Sequence, residues 1–491
     1  MTHALAGTPF DDDKLREECG VVGVYGHPEA AALVALGLHA LQHRGQEGVG
    51  IVSFDGARFH AERHMGLVAD HFDKGSGAID RLHGMAAVGH VRYSTAGGSN
   101  ERNVQPLYAD LALGGVAIAH NGNLTNAETL RRGLVAQGSI FQSTSDTEVI
   151  LHLIAQSAEG ALIERMKDSL RRIEGAYSLI ALTTKKLVGM RDPLGVRPLV
   201  LGKLGTALVL ASESCALDIM GATYVRDVQP GEMLVISDNR IESLHPFPQQ
   251  KRRFCVFEYV YFARPDSTVE GRNVYDVRKR IGAELALESP VGADVVVPVP
   301  DSGVPAAIGY AQEAGIPFEF GIIRNHYVGR TFIQPSQDGR DAGVKMKHSP
   351  NRAQIAGKRI VLVDDSIVRG TTSKKIVQML REAGAAEVHM RIASPPTKYS
   401  CFYGVDTPEQ DKLLAHRMSI AGMCEWLGAD SLAFISMDGL YRAAGEAGRN
   451  AETPQFCDAC FSGDYPTRLT DKAVAQAENE PRRQLTLLDT R

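Results

Sequence analysis

The chain lacks any apolar run of the roughly 20 residues that a membrane-spanning helix needs. Its first 18 residues also lack the apolar stretch of a secretory signal and carry Asp11, Asp12 and Asp13 instead, so a cytoplasmic location is the expectation. Surplus charge of one sign is missing too. With 53 basic against 58 acidic residues, the net charge of -5 offers no general attraction to nucleic acid or to an anionic membrane. Any phosphate site must therefore be local. The seven cysteines are an odd number, which argues against a disulfide framework and for metal or nucleophile duties. No internal repeat is visible.

What is present is a packed globular composition, 44% hydrophobic and 23% charged over 491 residues. Single cores stop growing near about 250 to 300 residues, so two domains of catalytic size are expected. Short β-rich runs such as Val21 to Tyr25 and Val116 to Ala119 alternate with helical patterns such as Thr147 to Gln156 as far as about residue 248. The second half, residues 249 to 469, repeats strand, polar turn and amphipathic helix in Asp294 to Gly315 and again in Arg359 to Gly384. That is the pattern of a parallel sheet covered by helices. A charged, proline-bearing joint, His245 to Arg253, lies between the halves, and residues 470 to 491 read as a charged, alanine-rich tail without an assigned role.

In the second half, the apolar strand Arg359 to Val363 ends in Asp364 and Asp365, followed by Ser366, Gly370, Thr371, Thr372, Ser373 and a helix. Ligands of open α/β sheets bind beyond the carboxyl ends of strands, where free N–H groups at a helix start face an anion. Gly370 permits close backbone approach and the hydroxyls add donors, while paired carboxylates suit ribose hydroxyls or a bridging Mg2+. A second turn, Pro300-Asp301-Ser302-Gly303, also closes a strand and opens a helix. Between the two turns, His326 to Arg352 is polar and glycine-bearing, with Arg330, Lys345, Lys347 and Arg352 as phosphate partners. This is the pattern of a lid that orders on substrate.

The first half centres on Cys19, which stands at the start of a strand with no base beside it in sequence. A thiol of pKa about 8.5 needs one to act as a nucleophile. If residues 1 to 18 were a leader and were removed, the α-amino group of Cys19 itself, with a pKa of about 8, would serve. By itself a cysteine here is more often a buried structural thiol. The polar clusters Gln42 to Glu47, Gly89 to Thr95 and His120 to Asn123 reverse those odds, because they lie at the ends of apolar strands, where a core would not place them.

Val361 to Ser373 (VLVDDSIVRGTTS) resembles the phosphoribosyl pyrophosphate loop of the type I phosphoribosyltransferases. The resemblance implies that Asp364 and Asp365 hold the ribose hydroxyls and magnesium, with Ser302 near the metal. It implies too that Ser366, Arg369, Gly370, Thr371 and Thr372 wrap the 5-phosphate. The first-half clusters, with Ser145-Asp146, resemble the glutaminase domain of class II glutamine amidotransferases over about residues 19 to 240. These are N-terminal-nucleophile hydrolases with a four-layer αββα fold. That likeness implies attack by Cys19 on the amide of glutamine. Arg92 would clamp the substrate carboxylate, Asp146 would take its ammonium with the help of Thr95, and Asn121 and Gly122 would form the oxyanion hole. His43 and His90 are read as structural.

Both halves in this order, joined through Phe257 to Ser267 (FEYVYFARPDS), resemble the family that aminates phosphoribosyl pyrophosphate with glutamine. The implied reaction turns glutamine, phosphoribosyl pyrophosphate and water into 5-phosphoribosylamine, glutamate and pyrophosphate, the ammonia moving internally. It opens purine synthesis. The likeness also implies a homotetramer and feedback by AMP, GMP, ADP or GDP. Four cysteines remain to be read as a group, Cys255, Cys401 and the C-x-x-C pair Cys457 and Cys460. Spacing alone leaves zinc, redox chemistry and a cluster open. Cluster-bearing members of the family carry cysteines at all four places and a short leader, implying a 4Fe-4S cluster. Cys215 and Cys424 have no partners by spacing and are expected to be buried.

Two rival classes lack part of this set. A different ammonia-using synthase, such as a hexosamine-phosphate synthase, would share the first half but not the Asp364 to Thr372 loop. A cluster-carrying electron-transfer protein would need the cysteines but not Arg92, Asn121 and Asp146.

Overall fold

Strands that are apolar on both faces must be covered on both faces, and the first half of the chain does this by stacking two antiparallel sheets. The computed structural model describes residues 16–17, 19–73, 75–93, 100–238, 240–325 and 348–479. In the seven-stranded sheet the order is Thr223–Asp227, Val200–Leu204, Ala207–Ala211, Gly20–Tyr25, Ala86–Arg92, Gly48–Phe54 and Phe59–Met65. The six-stranded sheet runs Arg240–Leu244, Met233–Ser237, Leu187–Arg191, Gly175–Thr183, Gly114–Leu124 and Leu107–Leu111.

Val21, Val52, Val88, Ala117, Ile180 and Leu210 fill the space between the sheets. Val22 and Val24, on the opposite face of their strand, pack with Leu38 of helix Ala30–Ala40 and Leu217 of helix Ser214–Met220. Helices Ala127–Ala136, Thr147–Gln156 and Leu162–Leu170 cover the second sheet through Leu134, Ile150 and Met166. The result is the four-layer αββα arrangement of an N-terminal-nucleophile hydrolase. The joint from His245 to Arg253 forms neither helix nor strand.

The second half is a four-stranded parallel sheet in the order Val295–Pro298, Arg359–Asp364, Glu387–Ile392 and Ser431–Phe434. Its strands read as near-continuous apolar runs because helices cover both faces. Helices Val274–Glu288 and Val304–Ala314 lie on one side with Met437–Ala443, and Thr371–Glu382 and Ile420–Leu427 on the other. Two glycines bring the first helix pair together: a Cβ on Gly282 would lie 1.9 Å from the Ala306 carbonyl oxygen, and one on Gly309 1.9 Å from that of Lys279. This is the type I phosphoribosyltransferase architecture. The two halves share a core, since Ala176 and Val196 of the first pack with Phe254, Phe257 and Tyr403 of the second.

The first and last described segments each touch the opposite half. Of residues 1 to 18, Arg16–Glu17 form a strand antiparallel to Val405–Asp406. The segment read from sequence only as a tail begins with a helix, Thr470–Asn479, which docks on helix Ala127–Ala136.

Candidate active sites

Cys19 stands where the strand Gly20–Tyr25 begins, 6% exposed and with a left-handed φ of 75°. Its N–H donates to the Arg44 carbonyl at 3.1 Å, and its thiol lies 3.7 Å from the carbonyl of Tyr93, the residue after Arg92. Arg92 ends the neighbouring strand and is buried. The opposing sheet brings Asn121 and Gly122 on Gly114–Leu124, and His90 joins the sheets by a 3.1 Å bond from its Nε2 to the His120 carbonyl. Asn121 is wholly buried, and neither its amide nitrogen nor its amide oxygen has a hydrogen-bond partner among the described residues. Such a group costs about 1–3 kcal/mol to leave unsatisfied, so a fold retains it for a reason.

Gly122 has φ 140°, and a Cβ there would lie 2.1 Å from the Ala176 oxygen, so no other residue fits this strand. Asp146, at the start of helix Thr147–Gln156, accepts the Leu124 N–H at 3.0 Å, which ties it to the end of the Asn121 strand. Burial pushes its carboxyl up, but the His120 ring and the N–H groups of Leu124 and Thr147 outweigh burial and hold it below the ordinary carboxylate range. His90 is pushed down to about 3 by burial and by the Arg92 guanidinium, so it is neutral at physiological pH and unsuited to acid catalysis. Hydrogen bonds thus tie Cys19 to the residue after Arg92, His90 to the residue before Asn121, and Asp146 to the strand that carries Asn121 and Gly122, whereas Thr95 lies outside the described residues.

In the second half, the buried Asp364 and Asp365 close their strand. Asp365 accepts the hydroxyls of Ser302 at 2.5 Å and Ser366 at 2.6 Å, so one carboxylate holds both turns together. Gly370, at φ 80°, precedes helix Thr371–Glu382, whose first N–H groups face the same end of the sheet. Ser366, Arg369, Thr371 and Thr372 follow one another around that turn. The peptide Pro300–Asp301 is cis, and Asp301 pairs with Arg324. Of the expected lid, Arg330, Lys345 and Lys347 lie outside the described residues; Arg352 donates to the Glu382 carbonyl at 3.1 Å.

The family described as glutamine amidotransferase domain matches residues 90–218, and the phosphoribosyl transferase domain matches residues 269–398. The amidophosphoribosyltransferase of Rhizobium etli is 61% identical over 470 residues, covering 94% of this chain and 95% of that one. The chain belongs to the amidophosphoribosyltransferase family. The Bacillus subtilis amidophosphoribosyltransferase is 50% identical over 461 residues, covering 94% of this chain and 96% of its own. A solved structure of the glutamine phosphoribosylpyrophosphate amidotransferase from B. subtilis, complexed with ADP and GMP, matches with a TM-score of 0.87 at 49% identity, over 92% of this chain and 98% of that one. As an amidophosphoribosyltransferase, the chain is a glutamine-dependent phosphoribosyltransferase of purine biosynthesis.

In this amidophosphoribosyltransferase, Cys255, Cys401, Cys457 and Cys460 line one cavity of about 20 Å³ with Phe257 and Tyr403. A two-residue parallel bridge, Phe254–Cys255 against Phe456–Cys457, sets two of them side by side, and the Tyr403 N–H donates to Cys401 Sγ at 3.3 Å. Burial pushes the Cys255 thiol up to about 12, and burial with the neighbouring thiols raises Cys457 and Cys460 as well. Among the described residues, no group of three or more His, Cys, Asp or Glu is set to hold a single metal ion. Cys215 is buried as expected. Cys424 is not: it is half exposed on helix Ile420–Leu427, where its thiol donates to the Ala429 carbonyl, because the polar face of that helix meets solvent.

Sequence reasoning missed the charged junction behind Cys19. Glu213 accepts His43 Nε2 at 2.7 Å, Arg44 Nε, Ser267 Oγ at 2.6 Å and the Arg264 N–H at 2.8 Å. Arg44 also donates to Glu258 at 2.8 Å. All three side chains are fully buried. Burial raises the Glu213 carboxyl, but Arg44 and His43 bring it well below the usual range. The available signal was Glu258 itself, a lone carboxylate inside the aromatic run Phe257 to Phe262.

Proposed function

We propose that this enzyme releases ammonia from glutamine at Cys19 and joins it to phosphoribosyl pyrophosphate beyond Asp364 and Asp365, giving 5-phosphoribosylamine, glutamate and pyrophosphate. The observation that carries the reading is the buried amide of Asn121, without a hydrogen-bond partner among the described residues, on a strand tied to the Arg92 strand through His90 and to Asp146 through Leu124. A tetrahedral oxyanion formed when the thiol attacks the side-chain amide would be met by Asn121 Nδ2 and the Gly122 N–H. The Arg92 guanidinium would take the substrate carboxylate in a paired contact, and the ionised Asp146 its ammonium, with Thr95 assisting them. Once residues 1 to 18 are removed, the α-amino group of Cys19 would be the base that deprotonates the thiol. The Arg44 carbonyl already accepts the Cys19 N–H and orients it.

At the second site, Asp364 and Asp365 would hold the ribose hydroxyls. Ser366, Arg369, Gly370, Thr371 and Thr372 would enclose the 5-phosphate around a helix start. Ser302, bonded to Asp365, completes with the two carboxylates an all-oxygen donor set that suits Mg2+, whose charge would offset that of the pyrophosphate. Purine nucleotides such as AMP, GMP, ADP and GDP share the ribose and phosphate groups and would compete there, which accords with the nucleotides bound in the B. subtilis structure. Cys255, Cys401, Cys457 and Cys460 fit a 4Fe-4S cluster: four thiols with apolar walls and an N–H on one sulfur. Its part would be structural. A homotetramer in the cytoplasm accords with the family, and no helix among the described residues is long and apolar enough to cross a membrane.

The test separates the two sites. Cys19→Ser is expected to abolish glutamine-dependent synthesis while ammonia-dependent synthesis of 5-phosphoribosylamine survives. Glutamine-dependent turnover that survives Cys19→Ser would refute the assignment.

A further inference from the structure

The glutamine site has a wall that comes from the far end of the chain. Beside Asp146 lies a cavity of about 450 Å³, lined on one side by Asn123, Asp146 and Arg131 and on the other by Leu469, Asp471 and Lys472. The contact is built rather than incidental. Thr125 donates its hydroxyl to the Arg468 carbonyl at 2.7 Å and accepts the Asp471 N–H on its own carbonyl at 2.9 Å; Thr470 donates to Glu174 at 2.5 Å.

Helix Ala127–Ala136 begins with open N–H groups that its own cap residue leaves alone. The Asn126 side chain makes no capping bond and instead joins the Arg172 carbonyl and the Glu174 N–H. The missing cap is supplied by Asp471. One carboxylate oxygen accepts the Glu128 N–H at 2.8 Å, and the other accepts the Thr129 N–H at 2.9 Å and the Thr129 hydroxyl at 2.7 Å. A carboxylate at this end of a helix is also favoured by the helix dipole.

The capped helix holds the loop that carries Asp146. Arg131, in its second turn, stacks at 4.0 Å on Phe141 and donates to the carbonyls of Ser143 at 3.0 Å and Ser145 at 2.8 Å. Asp146 follows directly. We infer that Asp471 is a positioning residue for glutamine, acting through helix Ala127–Ala136 and Arg131 to set the Asp146 carboxylate. This rests on the reading of Asp146 as the partner of the glutamine ammonium. The chemistry at Cys19 and the phosphoribosyl site are not in this chain of contacts, so Asp471 governs affinity for glutamine rather than turnover.

Steady-state kinetics of the full-length Asp471→Ala enzyme at saturating phosphoribosyl pyrophosphate tests this. The KM for glutamine is expected to rise about five- to tenfold, the loss of a helix cap, with kcat changed by less than about twofold. Ammonia-dependent synthesis is expected at the parent rate, and Asp471→Asn, which keeps an acceptor oxygen without the charge, between parent and Ala. An unchanged KM for glutamine overturns the inference. So does an equal fall of glutamine- and ammonia-dependent rates, which would mark the tail as a general structural element. Failure of the underlying reading is distinct, because it shows in an Asp146→Asn enzyme with Asp471 intact, as a KM for glutamine that stays at the parent value.

Discussion

Asn121 joins an energetic oddity to a function. Its amide is buried without a partner among the described residues, so both its nitrogen and its oxygen forgo the hydrogen bonds that water would make. Removing the amide removes that cost, and the small cavity left behind offsets part of the gain. Stability should change little. The rate should not be spared, since losing one donor to an oxyanion costs about 100- to 1,000-fold in kcat. Asn121→Ala is therefore expected to lose about that factor in glutamine-dependent kcat, keep its ammonia-dependent rate and unfold at nearly the parent temperature. A glutamine-dependent rate close to that of the parent would remove Asn121 from the oxyanion site. At the same scale, the surroundings of His90 favour a structural part: its ring is buried and held neutral, and its Nε2 joins the two sheets at the His120 carbonyl.

At the scale of elements, the second site depends on how closely two helices approach. Gly282 sits against the Ala306 backbone, and Ala306 belongs to the helix that begins just after Ser302. Gly282→Ala would place a methyl where a carbonyl oxygen is, and overpacking of this kind costs about 1–3 kcal/mol. The expected result is a lower midpoint in denaturant together with a higher KM for phosphoribosyl pyrophosphate with either nitrogen source, because Ser302 moves with its helix. Gly133, mid-helix in Ala127–Ala136 with nothing near its Cβ direction, supplies the contrast. There Gly→Ala should stabilise by about 0.5–1 kcal/mol. Equal effects at the two glycines would mean that contact distance does not decide the outcome.

At the scale of the molecule, the halves are fastened at the shared core around Phe257 and Tyr403, at the buried Arg44–Glu213–Glu258 junction, and where helix Thr470–Asn479 docks on helix Ala127–Ala136, while the four cysteines of the cavity all belong to the second half. The cysteines come from three distant parts of the chain, so a cluster held there would close long loops and stabilise the second half against local opening. Protein purified without oxygen is expected to contain iron and acid-labile sulfide. Stripping the iron should speed proteolysis between residues 456 and 479 before other regions are cut. Stoichiometric zinc in place of iron would overturn the cluster.

Much of this was legible in the chain because the informative patterns are local. A strand, an acid pair, Gly-Thr-Thr and a helix within Arg359 to Glu382 specify a phosphate-binding turn by hydrogen-bonding geometry alone, and helix Thr147–Gln156 follows from its own periodicity. Cys19, Arg92, Asn121 and Asp146 could be named as candidates by motif. Only the fold decided that the Asn121 amide is left without a partner among the described residues, that Glu213 and Glu258 share Arg44, and that Asp471 caps a helix 343 positions away. Residue type and spacing encode what neighbouring backbone can do, whereas burial and pairing across hundreds of residues arise when separate surfaces close on one another and exclude water.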